Sequence, residues 1–207
     1  MKKCIITIGR QCGSGGHTIG KTVAERLDIP FYDKKLTQAV AERSGLSAEA
    51  VEAQGESHSP SLLYNIATNG YTNFSASQHS MSAWQGPGLP DQIQAYQTEL
   101  IRELAEKGAC VIVGRCADYI LRERNDCLHI FISGAARDRM ERAVLEHGIS
   151  PAAAESYIRN QDKKRANYYK YMTDRTWGAA ANYDLCLNSS KLGIEQCVDI
   201  ITGFAKE

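Results

Sequence analysis

Residues 5–22 read IITIGRQCGSGGHTIGKT, and this stretch decides the fold. It begins with a short apolar run, continues through a cluster of glycines, and enters a segment in which Ile19, Val23 and Leu27 recur at helical spacing. A glycine-rich turn between a buried strand and a helix lets backbone N–H groups face an anion, and the amino terminus of the helix adds its positive dipole end. The stretch therefore predicts a phosphate-binding loop.

Two registers of this loop are compatible with the residues. Residues 15–22 fit the pattern G-x-x-x-x-G-K-T letter for letter, which makes Lys21 a phosphate ligand. The alternative places the phosphate nest at residues 13–16 and begins the helix near Gly16, which keeps the whole apolar stripe on one helix face. We favour the second register, in which Gly16 stands at the position of the usual phosphate-binding lysine, and we keep Lys21 as a candidate ligand.

The candidate phosphate-binding residues are Gly13, Ser14, Gly15, Gly16, His17, Thr18 and Lys21. Without a lysine at position 16, the positive charge that stabilises a leaving phosphoryl group would have to come from His17, Arg10 or a lid arginine. A hydroxyl group at Thr18 or Ser14 could hold Mg²⁺, and ordinary helix capping is the alternative for both.

Short apolar runs alternate with longer helical patterns along the rest of the chain. The candidate strands are residues 4–8, 29–32, 110–113, 128–132 and 183–187. Helical spacing of apolar residues also marks residues 93–104, 136–146, 151–171 and 194–204. The longer strand candidates are apolar on both faces and alternate with helices, which predicts a doubly wound α/β fold with a parallel sheet.

Composition and charge narrow the class of protein. The 207 residues include 24 Lys and Arg and 24 Asp and Glu, so the net charge is zero and a broad nucleic-acid-binding surface is not expected. No stretch approaches the roughly 18 apolar residues of a membrane span, and the amino-terminal apolar run is too short for a signal peptide. The seven cysteines form no Cys-x-x-Cys pair, which favours reduced, packed thiols in a cytoplasmic protein.

Polar residues follow two of the predicted strands, at the edge where ligands of doubly wound sheets bind. Asp33 is a candidate for binding Mg²⁺ or for orienting an acceptor hydroxyl, and the alternative is an N-cap of the next helix. Arg115 has a planar guanidinium that suits a phosphate or carboxylate, and the alternative is a salt bridge to Asp118. We take Arg115 and Asp118 as candidate acceptor-binding residues.

A basic, tyrosine-rich segment in the carboxyl-terminal third of the chain predicts a lid. Arg159, Asp162 and Arg165 repeat every three residues, which we interpret as one helix face that closes over a triphosphate and neutralises developing charge. A solvated helix surface is the alternative. Residues 55–90 are polar and rich in glycine and proline at their end. They are either a surface insertion or a mobile clamp over the acceptor.

These segments together resemble the cytidylate kinase-like family, a branch of the P-loop nucleoside monophosphate kinases. The segments that carry the resemblance are residues 6–10, 13–16, 19–21, 30–34, 111–115, 117–119, 183–185 and 188–189. The resemblance implies a single domain over residues 1–207 with a five-stranded parallel sheet. It also implies an acceptor clamp inserted at about residues 34–98 and a helical lid at residues 150–175.

The resemblance further implies ATP and Mg²⁺ as the phosphoryl donor. Gly114-Arg115 resembles the Gly-Arg-Asp of true cytidylate kinases, whose arginine contacts the acceptor phosphate, and Cys116 stands here in place of the aspartate. Arg159 and Arg165 resemble the lid arginines. We take both with Asp33 as catalytic candidates, and Asp33 with Thr18 as candidate metal ligands.

The expected function is ATP-dependent phosphoryl transfer to a small acceptor, with CMP or dCMP as the first candidate. One alternative is a nucleotide-binding sensor or partner-binding protein that has the fold but no turnover, for which the glycine at position 16 is the main support. The other is a kinase for a different metabolite, for which the insertion at residues 55–90 is the main support. The expected partners are small nucleotides, and neither nucleic acid nor a membrane is expected.

Overall fold

The computed structural model describes residues 5–49, 51 and 89–206, and its centre is a parallel sheet. The strands are β1 (Ile5–Arg10), β2 (Phe31–Tyr32), β3 (Cys110–Val113), β4 (Cys127–Ser133) and β5 (Leu185–Asn188). They form a five-stranded sheet in the order β2-β3-β1-β4-β5. Every neighbouring pair is parallel. The carboxyl end of β1 therefore lies at the middle of one sheet edge, between the ends of β3 and β4.

Helices connect the strands, as parallel neighbours require. In the described residues they are α1 (Gly16–Leu27), α2 (Lys34–Ser44), α3 (Leu89–Lys107), α4 (Ala117–Ile120), α5 (Ala136–His147), α6 (Pro151–Thr173), α7 (Ser189–Leu192) and α8 (Ile194–Lys206). A short 3-10 turn at Ala180–Asn182 precedes β5.

Alternate residues of each strand are buried on opposite faces of the sheet. On one face, Ile6 and Ile8 of β1 pack with Ile19 and Val23 of α1 and with α8. On the other face, Ile5 belongs to a buried cluster with α2 and α3. Strand side chains alternate between faces, so a sheet that is covered on both sides needs apolar residues at successive positions.

The predicted doubly wound α/β fold with five parallel strands is confirmed. β1 extends beyond the predicted end at Ile8, since its pairing with β4 continues until Arg10 lies opposite Ile132. β5 begins at Leu185 rather than at Tyr183, because the backbone N–H of Tyr183 closes the preceding turn on the Ala180 oxygen. The predicted strand residue Cys4 lies outside the described residues.

The proposed clamp at residues 34–98 falls mostly outside the described residues. Its described ends form α2 and the start of α3, and these two helices pack together. The proposed lid at residues 150–175 corresponds to α6. No helix within residues 5–49, 51 and 89–206 is long and apolar enough to span a membrane.

Candidate active site

The glycine-rich loop lies at the carboxyl end of the central strand β1. Gly13 and Gly15 have positive φ angles of 70° and 75°, and α1 begins directly afterwards at Gly16. Glycine adopts this conformation without the steric cost that a side chain brings. At Gly13 an added Cβ would also lie 2.2 Å from the backbone oxygen of Arg139. The helix therefore begins where the second of the two registers places it, and Lys21 lies inside the helix.

Side chains of α5 and α6 hold the backbone of the loop. Arg139 Nε donates to the Cys12 oxygen at 2.8 Å, and Arg142 Nη1 donates to the Gly13 oxygen at 3.1 Å. Asp162 accepts from the Cys12 N–H at 2.7 Å and pairs with the Arg139 guanidinium. These carbonyls point into the protein, while the first amides of α1 have no acceptor within the helix. The loop is thus arranged to offer N–H groups to an anion.

Two of the predicted phosphate ligands have other roles in the structure. The Ser14 hydroxyl donates to the Gln11 oxygen at 2.9 Å, and the Ser189 hydroxyl donates to the Ser14 oxygen at 2.7 Å, so Ser14 fastens the turn. Lys21 lies outside the cavity at the loop, with its side chain 61% exposed and Nζ 3.8 Å from Glu25 Oε1. Because α1 begins upstream of Lys21, the helix carries this side chain away from the loop.

A cavity of about 900 Å³ opens at the loop. Several parts of the chain contribute its lining residues, which include Arg10, Gly13, Gly15, Gly16, His17, Thr18, Asp33, Arg115, Tyr157, Gln161, Lys164 and Arg165. This volume is at the upper end of the range of small-ligand pockets. The structure therefore brings most of the predicted site residues to one place.

Asp33 faces this cavity instead of capping α2. It occupies the N-cap position, but within the described part of the chain its side chain makes no capping hydrogen bond to that helix. Its Oδ2 lies 3.2 Å from His17 Nε2, and its Oδ1 lies 3.9 Å from Arg10 Nη2. The His17 ring in turn packs edge-on against Phe31, with ring centroids 5.4 Å apart. Asp33 and Thr18 thus provide oxygen atoms among the residues that line the cavity.

Arg115 lies in a strained turn that follows β3. Gly114, Arg115 and Cys116 have φ angles of 76°, 58° and 53°, in the left-handed region that residues with side chains disfavour. Arg115 is 7% exposed, and its Nη2 donates to Thr37 Oγ1 at 2.8 Å. Its Nε and Nη1 have no partner among the described residues. Buried N–H groups of a cation are costly to leave without acceptors, so they indicate an anion-binding position.

Asp118 lies near Arg115, but the described residues show no salt bridge between them. Asp118 Oδ2 accepts instead from the Tyr169 hydroxyl at 2.7 Å, and burial raises the pKa of the Asp118 carboxyl group. Both residues line a second cavity of about 30 Å³, together with Trp177 and Tyr183. Asp118 therefore binds Tyr169, one of the aromatic residues that line the second cavity beside Arg115, and does not line the larger cavity.

One face of α6 borders the larger cavity. Its residues follow the helical spacing i, i+4, i+7, i+8: Tyr157, Gln161, Lys164 and Arg165. Arg165 Nη1 also donates to the Arg10 oxygen at 3.2 Å. Arg159 is exposed and lies outside the cavity. The prediction that Arg159 and Arg165 share a face is wrong, because a three-residue step drifts by about 60° around a helix and two steps by about 120°.

Three residues on this face, Tyr157, Gln161 and Lys164, are not among the site residues predicted from the sequence. The four-residue and seven-residue spacing from Tyr157 was the signal that could have identified this face. Asp162, which we had placed with the lid arginines, instead binds the loop backbone through Cys12.

Known proteins share this sequence pattern and this architecture. The model of the family described as cytidylate kinase-like matches residues 5–191. A cytidylate kinase from Pyrococcus horikoshii is 24% identical over 204 residues, which cover 96% of this chain and 86% of that protein. The crystal structure of a protein from Eubacterium ventriosum superposes over 99% of both chains with a TM-score of 0.70 and 26% identity. A shikimate kinase from Bacteroides thetaiotaomicron superposes over 99% of both chains with a TM-score of 0.53 and 15% identity, which shows a common fold.

Proposed function

Since the chain belongs to the cytidylate kinase-like family, we propose that it transfers the γ-phosphoryl group of ATP to a small acceptor, with CMP or dCMP as the first candidate. The observation that carries this proposal is the Arg115 side chain, a buried cation with N–H groups that have no partner in the described residues. It borders the same cavity as the phosphate loop. Two positions for phosphate in one cavity suit a donor and an acceptor that react with each other.

The donor and the acceptor take opposite ends of the cavity in this mechanism. The ATP phosphates bind amides of residues 13–18 other than that of Ser14, which donates to the Gln11 oxygen, and the acceptor phosphate binds Arg115. An oxygen of the acceptor attacks the γ-phosphorus atom while the bond from that phosphorus to the bridging oxygen of the departing ADP breaks. Arg165 and Lys164 of α6 neutralise charge on the transferring group. Positioning and charge neutralisation supply most of the rate in such transfers.

Mg²⁺ enters this mechanism bound to ATP, and the residues present fit that role. In the part of the chain that the structure describes, no group of three or more His, Cys, Asp or Glu side chains could hold a metal ion. Thr18 and Asp33 are separate oxygen donors that line the cavity. Mg²⁺ is commonly held by one or two protein oxygens together with substrate phosphates, and it neutralises phosphate charge.

We place the reaction in the cytoplasm, with small nucleotides as its ligands. The described cysteines are present as thiols, which supports a reducing compartment. The formal net charge is zero, which does not favour nucleic acid as a partner.

An acceptor panel tests the proposal. Release of ADP from ATP·Mg²⁺ is measured with CMP, dCMP, UMP, AMP and an unphosphorylated acceptor such as shikimate. We expect turnover of a nucleoside monophosphate, with kcat/KM lower by about 100-fold or more in Arg115→Ala because a buried charged contact is lost. Arg122→Ala is the matched control, since Arg122 follows in the chain but does not line the larger cavity.

Each other outcome of the panel supports a different function. ATP binding without turnover of any acceptor would favour a nucleotide-binding protein that lacks the usual lysine at Gly16. Turnover of the unphosphorylated acceptor alone would favour a kinase for another metabolite. If ATP does not stabilise the protein against heat at all, the phosphate-loop assignment is refuted.

A further inference from the structure

The phosphate loop lacks a cation at the start of its helix. Phosphate loops of this kind usually carry a lysine that reaches the β- and γ-phosphates, but here the first helical residue is Gly16. Lys21 does not take over this role, because it is exposed, lies outside the cavity and has Glu25 as its near neighbour. A kinase with this loop therefore needs its positive charge from another part of the chain.

The side chain of Arg10 occupies the space that a residue at position 16 would need. A Cβ built on Gly16 would lie 2.5 Å from Arg10 Cβ and 3.0 Å from Arg10 Cγ. A contact this short with the stem of a side chain cannot be relieved by a rotation at its far end. The next atom that the added Cβ would meet is Ile132 Cβ at 3.5 Å, which is ordinary van der Waals contact. Arg10 is therefore the residue that any side chain at position 16 would meet first, and it would have to shift.

The Arg10 side chain lines the cavity that contains both proposed phosphate positions. Arg10 is the last residue of β1, its side chain is 11% exposed, and it borders both cavities, as Arg115 does. Its Nη2 lies 3.9 Å from Asp33 Oδ1. Its backbone oxygen accepts from Arg165, so the position of the residue is held from both sides of the cavity. An arginine remains charged at every pH at which the protein is folded.

We propose that Arg10 is the phosphate-binding cation of this loop and performs from the end of β1 the task that a lysine usually performs from the start of the helix. This inference deepens the proposed function and rests on it. Its ligands are the β- and γ-phosphate oxygens of a nucleoside triphosphate, and the fork of the guanidinium suits two of them. Asp33 pairs with the guanidinium before the nucleotide arrives.

Lys164 is one of the other cations that line the cavity, and it differs from Arg10 in its exposure to solvent. It lies on the exposed surface of α6, whereas Arg10 is nearly buried beside the loop. A contact with a buried charge is screened less by solvent and salt, so Arg10 has the larger effect on bound phosphate.

Nucleotide affinities separate a phosphate-binding role from a structural one. Arg10→Met keeps the aliphatic stem over Gly16 and removes the charge. Its affinities for ATP, ADP and AMP are measured by calorimetry beside those of the wild type, Arg10→Lys and the control Lys21→Ala. We expect Arg10→Met to bind ATP and ADP about 10- to 100-fold more weakly, the usual loss of charge-assisted hydrogen bonds, with AMP affected less than threefold. Arg10→Lys should bind with an affinity between those of the wild type and Arg10→Met, because lysine keeps the charge but loses the two-pronged guanidinium. Lys21→Ala should retain all of the affinity.

An exchange of the two positions tests the steric part of the inference. Gly16→Lys alone should lower the melting temperature because of the contact with Arg10 Cβ, and Arg10→Gly alone should lose ATP affinity. The double variant Arg10→Gly/Gly16→Lys removes the contact and restores a cation, so it should bind ATP at least tenfold more tightly than Arg10→Gly. A folded double variant that binds ATP no better than Arg10→Gly would contradict the inference.

The outcome for Arg10 is distinguishable from the outcome for the proposed function. Equal losses for ATP, ADP and AMP in Arg10→Met, or no loss at all, would overturn the role of Arg10 even if the wild type phosphorylates CMP. A wild type that turns over no acceptor would refute the proposed function, while a selective loss of ATP and ADP would still support Arg10 as the phosphate cation.

Discussion

The ion pair between Asp162 and Arg139 should stabilise both the fold and the glycine-rich loop, and Asp162→Ala tests this. Asp162 accepts from the Cys12 N–H at 2.7 Å and pairs with the Arg139 guanidinium. The side chains are 18% and 9% exposed, so solvent screens the pair only in part. Removing the carboxylate leaves a nearly buried guanidinium whose remaining hydrogen bond among the described residues is the one to the Cys12 oxygen.

The expected cost of Asp162→Ala follows from this burial. Removing one partner of a buried ion pair costs about 3–5 kcal/mol, and the partial exposure of Asp162 favours the lower value, about 3 kcal/mol. For a chain of this size, 1 kcal/mol corresponds to about 2–4 °C, so the melting temperature should fall by about 6–12 °C. ATP should also bind more weakly, although Asp162 does not line the cavity, since the loop backbone loses a support.

Urea unfolding and ATP calorimetry measure the two effects, and an exposed pair is the matched control. Glu141 Oε1 lies 3.1 Å from Arg137 Nε on α5, with side chains 61% and 85% exposed. Glu141→Ala should cost at most about 0.5 kcal/mol, because exposed pairs one helical turn apart contribute little. Asp162→Asn should be intermediate, since an amide can still accept from Cys12. If Asp162→Ala costs no more than Glu141→Ala, the pair does not support the loop as the structure implies.

Three further substitutions test other parts of the site. Gly13→Ala should destabilise the protein by about 2 kcal/mol or more in urea unfolding, because its Cβ would lie 2.2 Å from a backbone oxygen. Gly45→Ala is the control, since Gly45 has a similar φ but open space around it, and it should cost about 1 kcal/mol. Burial raises the folded pKa of Asp118, so its contribution to stability falls as pH rises from the ordinary carboxyl value of about 4 through the folded pKa. Asp118→Asn should therefore gain stability over the wild type as pH rises above about 4, and a difference that stays constant with pH would contradict this. Arg165→Ala should weaken ATP binding or turnover about tenfold or more. Arg159 is exposed, so Arg159→Ala should stay within twofold of the wild type in both measurements. Equal effects of the two substitutions would refute the assignment of the cavity-facing side of α6.

The fold could be predicted because local pattern and long-range packing agree in it. The apolar run of β1 needed two covered faces, and the stripe of Ile19, Val23 and Leu27 required a helix that begins near Gly16. The ends of strands were less predictable, because they depend on which residues of the neighbouring strand are available for pairing. β1 continues to Arg10 because β4 offers a partner for each residue, and nothing in residues 5–10 alone contains this information.

Site residues were predictable where they directly follow a strand. They were less predictable where the orientation of a helix determines which of its side chains face the cavity. Asp33 and Arg115 follow strands of one parallel sheet, so their strand ends had to meet at one edge. On α6 the charge pattern alone was a poor guide. Arg159 resembles Arg165 chemically. The side of the helix that faces the loop is set instead by the packing of Tyr157 against the buried cluster of Cys12, Ala143 and Ile158.

The proposed donor and acceptor ends of the cavity differ in how far their structure is already formed before a ligand binds. At the proposed donor end, the carbonyls of Cys12 and Gly13 already have arginine donors, which would preorganise the loop for phosphate. At the acceptor end, Arg115 keeps a left-handed backbone and N–H groups that no described residue accepts. Each of these features costs on the order of 1 kcal/mol or more in the unliganded protein. An anion at Arg115 supplies the missing acceptors, so acceptor binding should stabilise the fold more per contact than donor binding does.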